Sequence, residues 1–387
     1  IITIIVVVLT TLLTGCTGKE PNEIAYVVAL GIDSTDDDNY KITIQYANTT
    51  QISGGASESG GKAGSEIVDN VTIEAPNIYA GVGLANNIVS KSFSMSHAKL
   101  IVFSKEIAEK GVKDMIETLV RSEEIRPDVF IAVANTTAND YLTSVNPEME
   151  VNPAQYYQLI YQKNQLVGIP DGQLREFFTG LYTDNYDSIL PVAGVIEGAG
   201  GNSQNDDKGQ SKDSQNEGSE GSSESLDSFE SKNSDENEKE KDAEKNTSKY
   251  EYDIKNYVGG ETAIEKKNKA EAIGAAVFEK DKMVGELGEV ETEICKMLKG
   301  DYTYSYLTYY NNDTPDIPIT VKTTQQKKPK YKIDTDKKTV DIELYIESDL
   351  YSLPADYNVE NKIEDFERDV ACLLYTSPSP RDRQKSR

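Results

Sequence analysis

Cys16 stands where a thiol has a defined reaction. It follows Leu13, Thr14 and Gly15, and an apolar run fills residues 1–15. An aliphatic residue and two small ones ahead of a cysteine let a signal peptidase reach the Gly15–Cys16 bond, with the thiol taking a diacylglyceryl group. The run is shorter than the roughly 20 residues a spanning helix needs and is predicted to be a signal-peptide core. Such a core normally follows a basic segment, yet the chain opens on Ile1 and its first basic residue is Lys19. The natural start is therefore expected to be lost. Each buried methylene contributes about 0.8 kcal/mol, so two or three long acyl chains, such as palmitate, hold a protein on a bilayer durably where one would not.

The other chemistry-bearing residues are sparse. His97 is the single histidine, which excludes a zinc site built on several imidazoles. A Ser-His-Asp set would have to combine it with Ser94 or Ser96, and no Gly-x-Ser-x-Gly elbow surrounds them. A packing or hydrogen-bonding role is expected. Cys295 shares a predicted helix with Val290, Ile294 and Leu298 and is expected on its apolar side as a small buried hydrophobe. Gly81 and Gly83 lack the third glycine of a dinucleotide loop. Asp36, Asp37 and Asp38 could touch a divalent ion but lack the spacing of a calcium loop, so solvated carboxylates are expected. Arg121, Glu123, Glu124 and Arg126 would fix a helix end or meet a partner, and Tyr302, Tyr304, Tyr306, Tyr309 and Tyr310 suit an exposed strand or an interface. No catalytic set, metal site or cofactor site is predicted.

The elements that carry these residues alternate. Strands are predicted at 24–32 and 40–48 around the turn 33–39, and at 66–74 after a Gly/Ser-rich loop at 53–64. A helix opens at Pro76 and runs to about residue 90. A strand at 98–103 leads through Ser104, a candidate N-cap, into one amphipathic helix reaching Val120. A strand at 129–134 follows, then helices at 136–145, 153–161 and 171–181, and a strand at 189–195. After residue 250 come strands at 271–278 and 283–287, a helix at 289–298 stopped by Gly300, and a Tyr/Thr/Ile-rich run of strands over 302–348. The fold class is α+β, with mixed sheets flanked by helices.

The expected division is a signal peptide at 1–15, an N-terminal α+β region at 16–196, an acidic linker at 197–250, an incomplete second domain region at 251–371, and a non-native tail at 372–387. The linker is almost free of apolar residues and cannot offset its ordering entropy. The tail is basic in an acidic chain, has no apolar period and resembles translated sequencing-adapter sequence. The net charge of −26 argues against nucleic acid. With Cys16 acylated and Cys372 in the tail, Cys295 has no disulfide partner.

Several segments, taken in order, resemble the Ger(x)C family, the C-subunit lipoproteins of spore germinant receptors. They are Leu13-Thr-Gly-Cys16; Ala29-Leu-Gly-Ile-Asp33 with Tyr40-Lys-Ile-Thr-Ile-Gln45; Ser96-His-Ala-Lys-Leu-Ile101 with Lys105-Glu-Ile-Ala-Glu-Lys-Gly111; Arg121-Ser-Glu-Glu-Ile-Arg126; and Gly274-Ala-Ala-Val-Phe278 with Lys282-Met-Val-Gly-Glu-Leu287. The resemblance implies an elongated, three-domain α+β protein, lipid-anchored on the outer face of the spore inner membrane. It implies membrane-embedded A and B partner subunits and a non-catalytic part in the response to nutrient germinants. The segment 197–250 is longer than the family pattern, and a final helical portion is expected beyond residue 370. A lipid-anchored protein that captures a small nutrient is the rival reading, and a surface hydrolase the third.

Overall fold

The computed structural model describes residues 23–37, 39–48, 68–147, 150, 152–162, 168–196, 256–262, 267–311, 314–352 and 363–375. Cys16, the apolar run, the loop at 53–64 and the segment 197–250 lie outside these residues.

Most of the elements build one nine-stranded sheet, in the order β3-β2-β1-β5-β6-β7-β8-β9 with β4 beside β1. Strand β1 (Ile24–Ser34) is buried along most of its length, as a strand covered on both faces must be. It pairs antiparallel with β2 (Tyr40–Ala47), which pairs with β3 (Val68–Ala75), so the expected hairpin forms. On its other side β1 runs parallel to the short β4 (Ser92–Ser94) and to β5 (Leu100–Ser104). Strands β6 (Phe130–Ala134) and β7 (Ser188–Val195) continue the parallel run. Both β5 and β6 are buried at all five positions, which accounts for their unbroken apolar sequences.

Helices cover both faces. Helix α1 (Ile78–Ala85) starts where Asn77 accepts a hydrogen bond from the Ala80 N–H at 2.9 Å. With α2 (Lys105–Lys110) and α3 (Lys113–Val120) it packs on one face, where Ile78, Ile107, Ile116 and Leu119 join a single core. The sequence period predicts α2 and α3 as one helix, and the structure corrects this. Gly111 adopts φ +122°, and the Val112 N–H bonds to the Asp281 carbonyl at 3.0 Å instead of continuing the helical ladder. Ser104 caps α2 as expected, accepting from the Ile107 N–H.

The opposite face carries α4 (Ala138–Ser144) and α5 (Pro153–Gln162), whose Tyr141, Leu142, Tyr157 and Tyr161 are buried against β1, β5 and β6. Asp33, at the end of β1, closes this side: both its carboxylate oxygens accept backbone N–H bonds from the start of α4, Ala138 at 2.6 Å and Asn139 at 3.0 Å. Helix α6 (Leu174–Leu181) returns to the first face through Leu174 and Phe177.

The expected second domain region does not begin as a separate fold at residue 251. Strand β8 (Ala270–Glu279) pairs antiparallel with β7 from Ser188↔Phe278 to Val195↔Ala270, and β9 (Lys282–Leu287) pairs with β8. The hairpin occupies the N–H and C=O groups that β7 would otherwise present as an open edge. The change of sheet comes later, after α7 (Glu289–Lys299), which Gly300 ends in the left-handed conformation. Strands β10 (Tyr304–Asn311), β11 (Thr314–Asp334) and β12 (Thr339–Ser352) form a three-stranded antiparallel sheet. Helix α8 (Ile363–Tyr375) adds Phe366 and Val370 to a small core with Leu307, Tyr309, Ile319 and Val321. Leu374 packs against the same core, so this helix continues past Val370 into the segment read as a tail; residues 376–387 lie outside the described part. No helix among the described residues is long and apolar enough to cross a membrane.

Candidate functional site

Helix α7 buries its charged side. The sequence reading puts Cys295 inward with Ile294 and Leu298; the structure leaves these three half-buried and encloses Glu291, Thr292, Glu293, Lys296 and Met297. The helix touches β8 and β9 of the large sheet and β11 of the small one, and a helix enclosed from two sides must satisfy its polar groups internally. The Glu291 carboxylate accepts the Gly288 N–H at 2.8 Å. The Glu293 Oε2 accepts from the Ser305 hydroxyl at 2.7 Å, and the Ser305 oxygen accepts from the Tyr302 hydroxyl at 2.9 Å. Tyr302 also contacts the Thr323 hydroxyl. One turn further on, the Lys296 ammonium donates to the Ile169 carbonyl at 3.2 Å. Residues Glu293 and Lys296 thus tie α7 to β10 on one side and to the segment leading into α6 on the other.

Burial pushes the Glu293 carboxyl up to about 8, against the smaller opposing pull of Ser305. The same cause lowers Lys296, opposed by Glu293, Asp301 and Asp171. Burial raises the Cys295 thiol as well, which makes it a poor nucleophile.

Beside Lys296 lies a cleft of about 410 Å³ between α6, β7 and the end of α7. Its charged groups are Asp171, Glu176, Lys296, Lys299 and Asp301, and Phe177, Ile189 and Leu190 form an apolar wall. Asp171 is held in place by its neighbour. The Gly172 carbonyl accepts the Ile131 N–H at 2.7 Å, and a Cβ on Gly172 would sit 2.4 Å from Pro191 Cδ. Only glycine allows that approach. Asp171 Oδ1 is enclosed and has no hydrogen-bond partner among the described residues. Burial raises the Asp171 carboxyl, offset in part by the backbone N–H groups of Gln173 and Gly172. Glu176 is raised by burial first and by Asp171 second. The Lys299 ammonium lies 5.8 Å from the centre of the Tyr186 ring.

The residues singled out in the sequence do not converge on this cleft. The His97 Nδ1 lies 3.0 Å from the Ser96 hydroxyl, and its ring meets Tyr26 edge-on at 4.6 Å. Glu124 sits at the serine end, accepting the Met95 N–H at 2.6 Å and the Ser94 hydroxyl at 3.5 Å. A catalytic relay needs the carboxylate on the far nitrogen of the imidazole, so this arrangement fastens a turn. Arg121 pairs with Glu117 at 2.6 Å and Arg126 with Asp128 at 3.0 Å, while Glu123 is exposed. Gly81 packs inside α1 against Ile42. Asp36 and Asp37 are exposed, and Asp38 is outside the described residues. The tyrosines expected on an exposed strand divide: Tyr302 and Tyr309 are buried, Tyr306 is exposed, and the side chain of Tyr310 is outside the described part. Among the described residues no group of three or more His, Cys, Asp or Glu is placed to hold a metal ion.

Two family models match in order along the chain: the spore germination protein N-terminal domain at residues 18–195, and the spore germination B3/GerAC-like C-terminal domain at 273–373. The chain belongs to the Ger(x)C family. Spore germination protein KC of Bacillus subtilis (strain 168) is 28% identical over 162 residues, which is 38% of this chain and 40% of that protein. Putative spore germination protein YfkR of the same organism is 28% identical over 145 residues, 37% of each. GerQC of Bacillus cereus is 27% identical over 104 residues, 27% of this chain and 29% of that protein. The matched stretches thus span 40% or less of these relatives. The solved GerBC protein superposes with a TM-score of 0.40 at 16% identity, over 88% of this chain and 79% of that one. The N-terminal Ger(x)C match ends at the last residue of β7, and the C-terminal match begins inside β8, its pairing partner.

Proposed function

We propose that this Ger(x)C chain is the lipid-anchored C subunit of a spore germinant receptor, needed for the nutrient-triggered germination response and without catalysis of its own. The observation that carries the reading is the match of both family models in their order along the chain, the first starting two residues after Cys16. The anchor is diacylglyceryl on Cys16, exposed by cleavage after Gly15, and the place is the outer face of the spore inner membrane. Its partners are the receptor's A and B membrane subunits. The side-chain chemistry agrees: the His97 turn is a structural fastening, and the half-buried Cys295, its thiol pushed up by burial, is a weak nucleophile.

The test is to tag the chain in sporulating cells, solubilise the spore membranes and identify what co-purifies by mass spectrometry. A and B receptor subunits are the expected result; a chain recovered alone, or with a transporter, overturns the receptor reading. Cys16→Ala is expected to release the chain from membranes. Retention of that variant in cells lacking the partner subunits overturns the anchor alone.

A further inference from the structure

Strand β11 pairs with β10 only as far as Thr324, and from there to its turn its strand neighbour is β12. The arm so formed is braced at its base: the Gln325 amide donates to the Met297 carbonyl at 2.9 Å, and the Tyr331 hydroxyl donates to the Leu298 carbonyl of α7. From Lys332 to Glu343 every residue but Asp334 is exposed, so both faces of this end meet solvent. The register sets Tyr331 opposite Ile342 and Ile333 opposite Val340, and residues two apart on a strand share a face. Four large apolar side chains thus stand together, exposed by 51% (Tyr331), 44% (Ile342), 69% (Ile333) and 55% (Val340). A two-stranded hairpin with nothing behind it gains little in water from such residues.

The charge of the arm is also set against the rest. Residues 327–338 hold six lysines and two aspartates in a chain whose net charge is −26, and lysines still outnumber acids when Asp341 and Glu343 across the strands are counted. Lys337 pairs with Asp334 at 3.4 Å and Lys330 with Glu343 at 3.6 Å, Lys327 and Lys330 stand 5.0 Å from the centre of the Tyr345 ring, and Asp341 is the register partner of Lys332. Lys328, Lys332 and Lys338 are exposed. Nucleic acid offers phosphate without hydrocarbon, and an apolar protein groove offers the reverse. An anionic bilayer offers phosphate at its surface and hydrocarbon just below, where apolar groups enter while lysines reach back to the phosphates. We propose that the tip of the β11–β12 hairpin docks on an anionic lipid surface, with Tyr331, Ile333, Val340 and Ile342 entering the headgroup boundary and Lys328, Lys332 and Lys338 facing lipid phosphates. This contact is separate from the acyl anchor proposed at Cys16 and restricts how an anchored chain can turn. Alone it is reversible and weakened by salt, so it does not hold the Cys16→Ala chain on salt-washed membranes, and the two tests are read separately.

The experiment is vesicle flotation of the purified chain from residue 16 onward with Cys16→Ala, so that neither the apolar run nor an acyl group contributes. It is expected to bind vesicles of equal parts phosphatidylglycerol and phosphatidylcholine about tenfold more tightly than phosphatidylcholine alone. Lys332→Gln with Lys338→Gln is expected to remove that preference, and Ile333→Ser with Val340→Ser to weaken binding about tenfold. All four positions are exposed, so the variants fold irrespective of the proposal. The basic residues between 381 and 387 are present in every variant, so the differences report the hairpin. The chain has no tryptophan, and the single one in Ile333→Trp is expected to shift its emission to the blue with the anionic vesicles only. No flotation with phosphatidylglycerol, undiminished binding in either double variant, or an unmoved Ile333→Trp emission overturns the lipid contact. A dimer in sedimentation that Ile333→Ser with Val340→Ser dissolves also overturns it, and gives the apolar face to a second copy of the chain.

Discussion

Glu293 and Gly172 carry the site, and neither is marked by a motif. The apolar residues of α7 point a sequence reading towards Cys295, because hydrophobic period assigns the inward side of a helix. Glu293 and Lys296 go in because each meets a partner distant in sequence, Ser305 across a turn and Ile169 across the fold, and such partners leave no local period. The Glu293 pKa gives a pH test. Its folded value, about 8, is above the ordinary 4.5, so between these values the folded chain holds a proton that the unfolded chain has lost. Stability from this group is complete below pH 4.5 and is lost as pH rises through 8. Glu293→Gln, neutral at every pH, is expected to flatten the fall in melting temperature between pH 5 and 8.5 and to exceed the parent chain's stability at the upper end. A parent chain whose melting temperature is level across that range would refute the burial of a protonated acid. At Gly172 the test is steric: Gly172→Ala forces a methyl into Pro191 and is expected to cost about 1–3 kcal/mol in denaturant unfolding, with an unchanged midpoint as the contrary result.

Among the elements, strands and caps are legible and breaks are not. Ser104 and Gly300 do what their types suggest, the first as an N-cap and the second at a helix C-terminus. The apolar runs of β5 and β6 read directly as strands buried on both faces. The α2–α3 break escapes detection because Ile107, Ala108, Val112 and Ile116 keep a helical period across it, although the backbone turns at Gly111. That turn brings the Val112 N–H to the β8–β9 connection at Asp281, a contact from 169 residues further along the chain. Gly111→Ala places a side chain at φ +122° with its Cβ 2.7 Å from Asp281 Oδ2. The expected cost is about 1–3 kcal/mol, read as a lowered denaturant midpoint with the slope unchanged. A gain in stability would mean that α2 and α3 fuse into the single helix the sequence favours.

On the scale of the whole molecule, composition points to a boundary that strand pairing crosses. The change in composition at residues 197–250 is plain in the sequence, and reading a domain change from it is reasonable as long as neighbouring strands are also neighbours in sequence. Here the two family segments meet at the β7–β8 pair, so the N-terminal segment is completed by strands encoded after residue 250. Strand alternation identifies β8 as a strand but cannot name its partner, because register and pairing are settled by the edge that β7 leaves open. A fragment ending at Ile196 therefore exposes β7 along its length and deprives Leu190 and Val192 of Ala276, Phe278 and Met283, which share their core. That fragment is expected to aggregate when made alone, whereas one running on to Lys299, with β8, β9 and α7 included, is expected to stay in solution as a cooperative unit. Analytical ultracentrifugation and thermal unfolding of the two fragments decide it. A soluble, cooperatively melting fragment ending at Ile196 would show that the large sheet stands without β8 and that the boundary suggested by composition is a folding boundary after all.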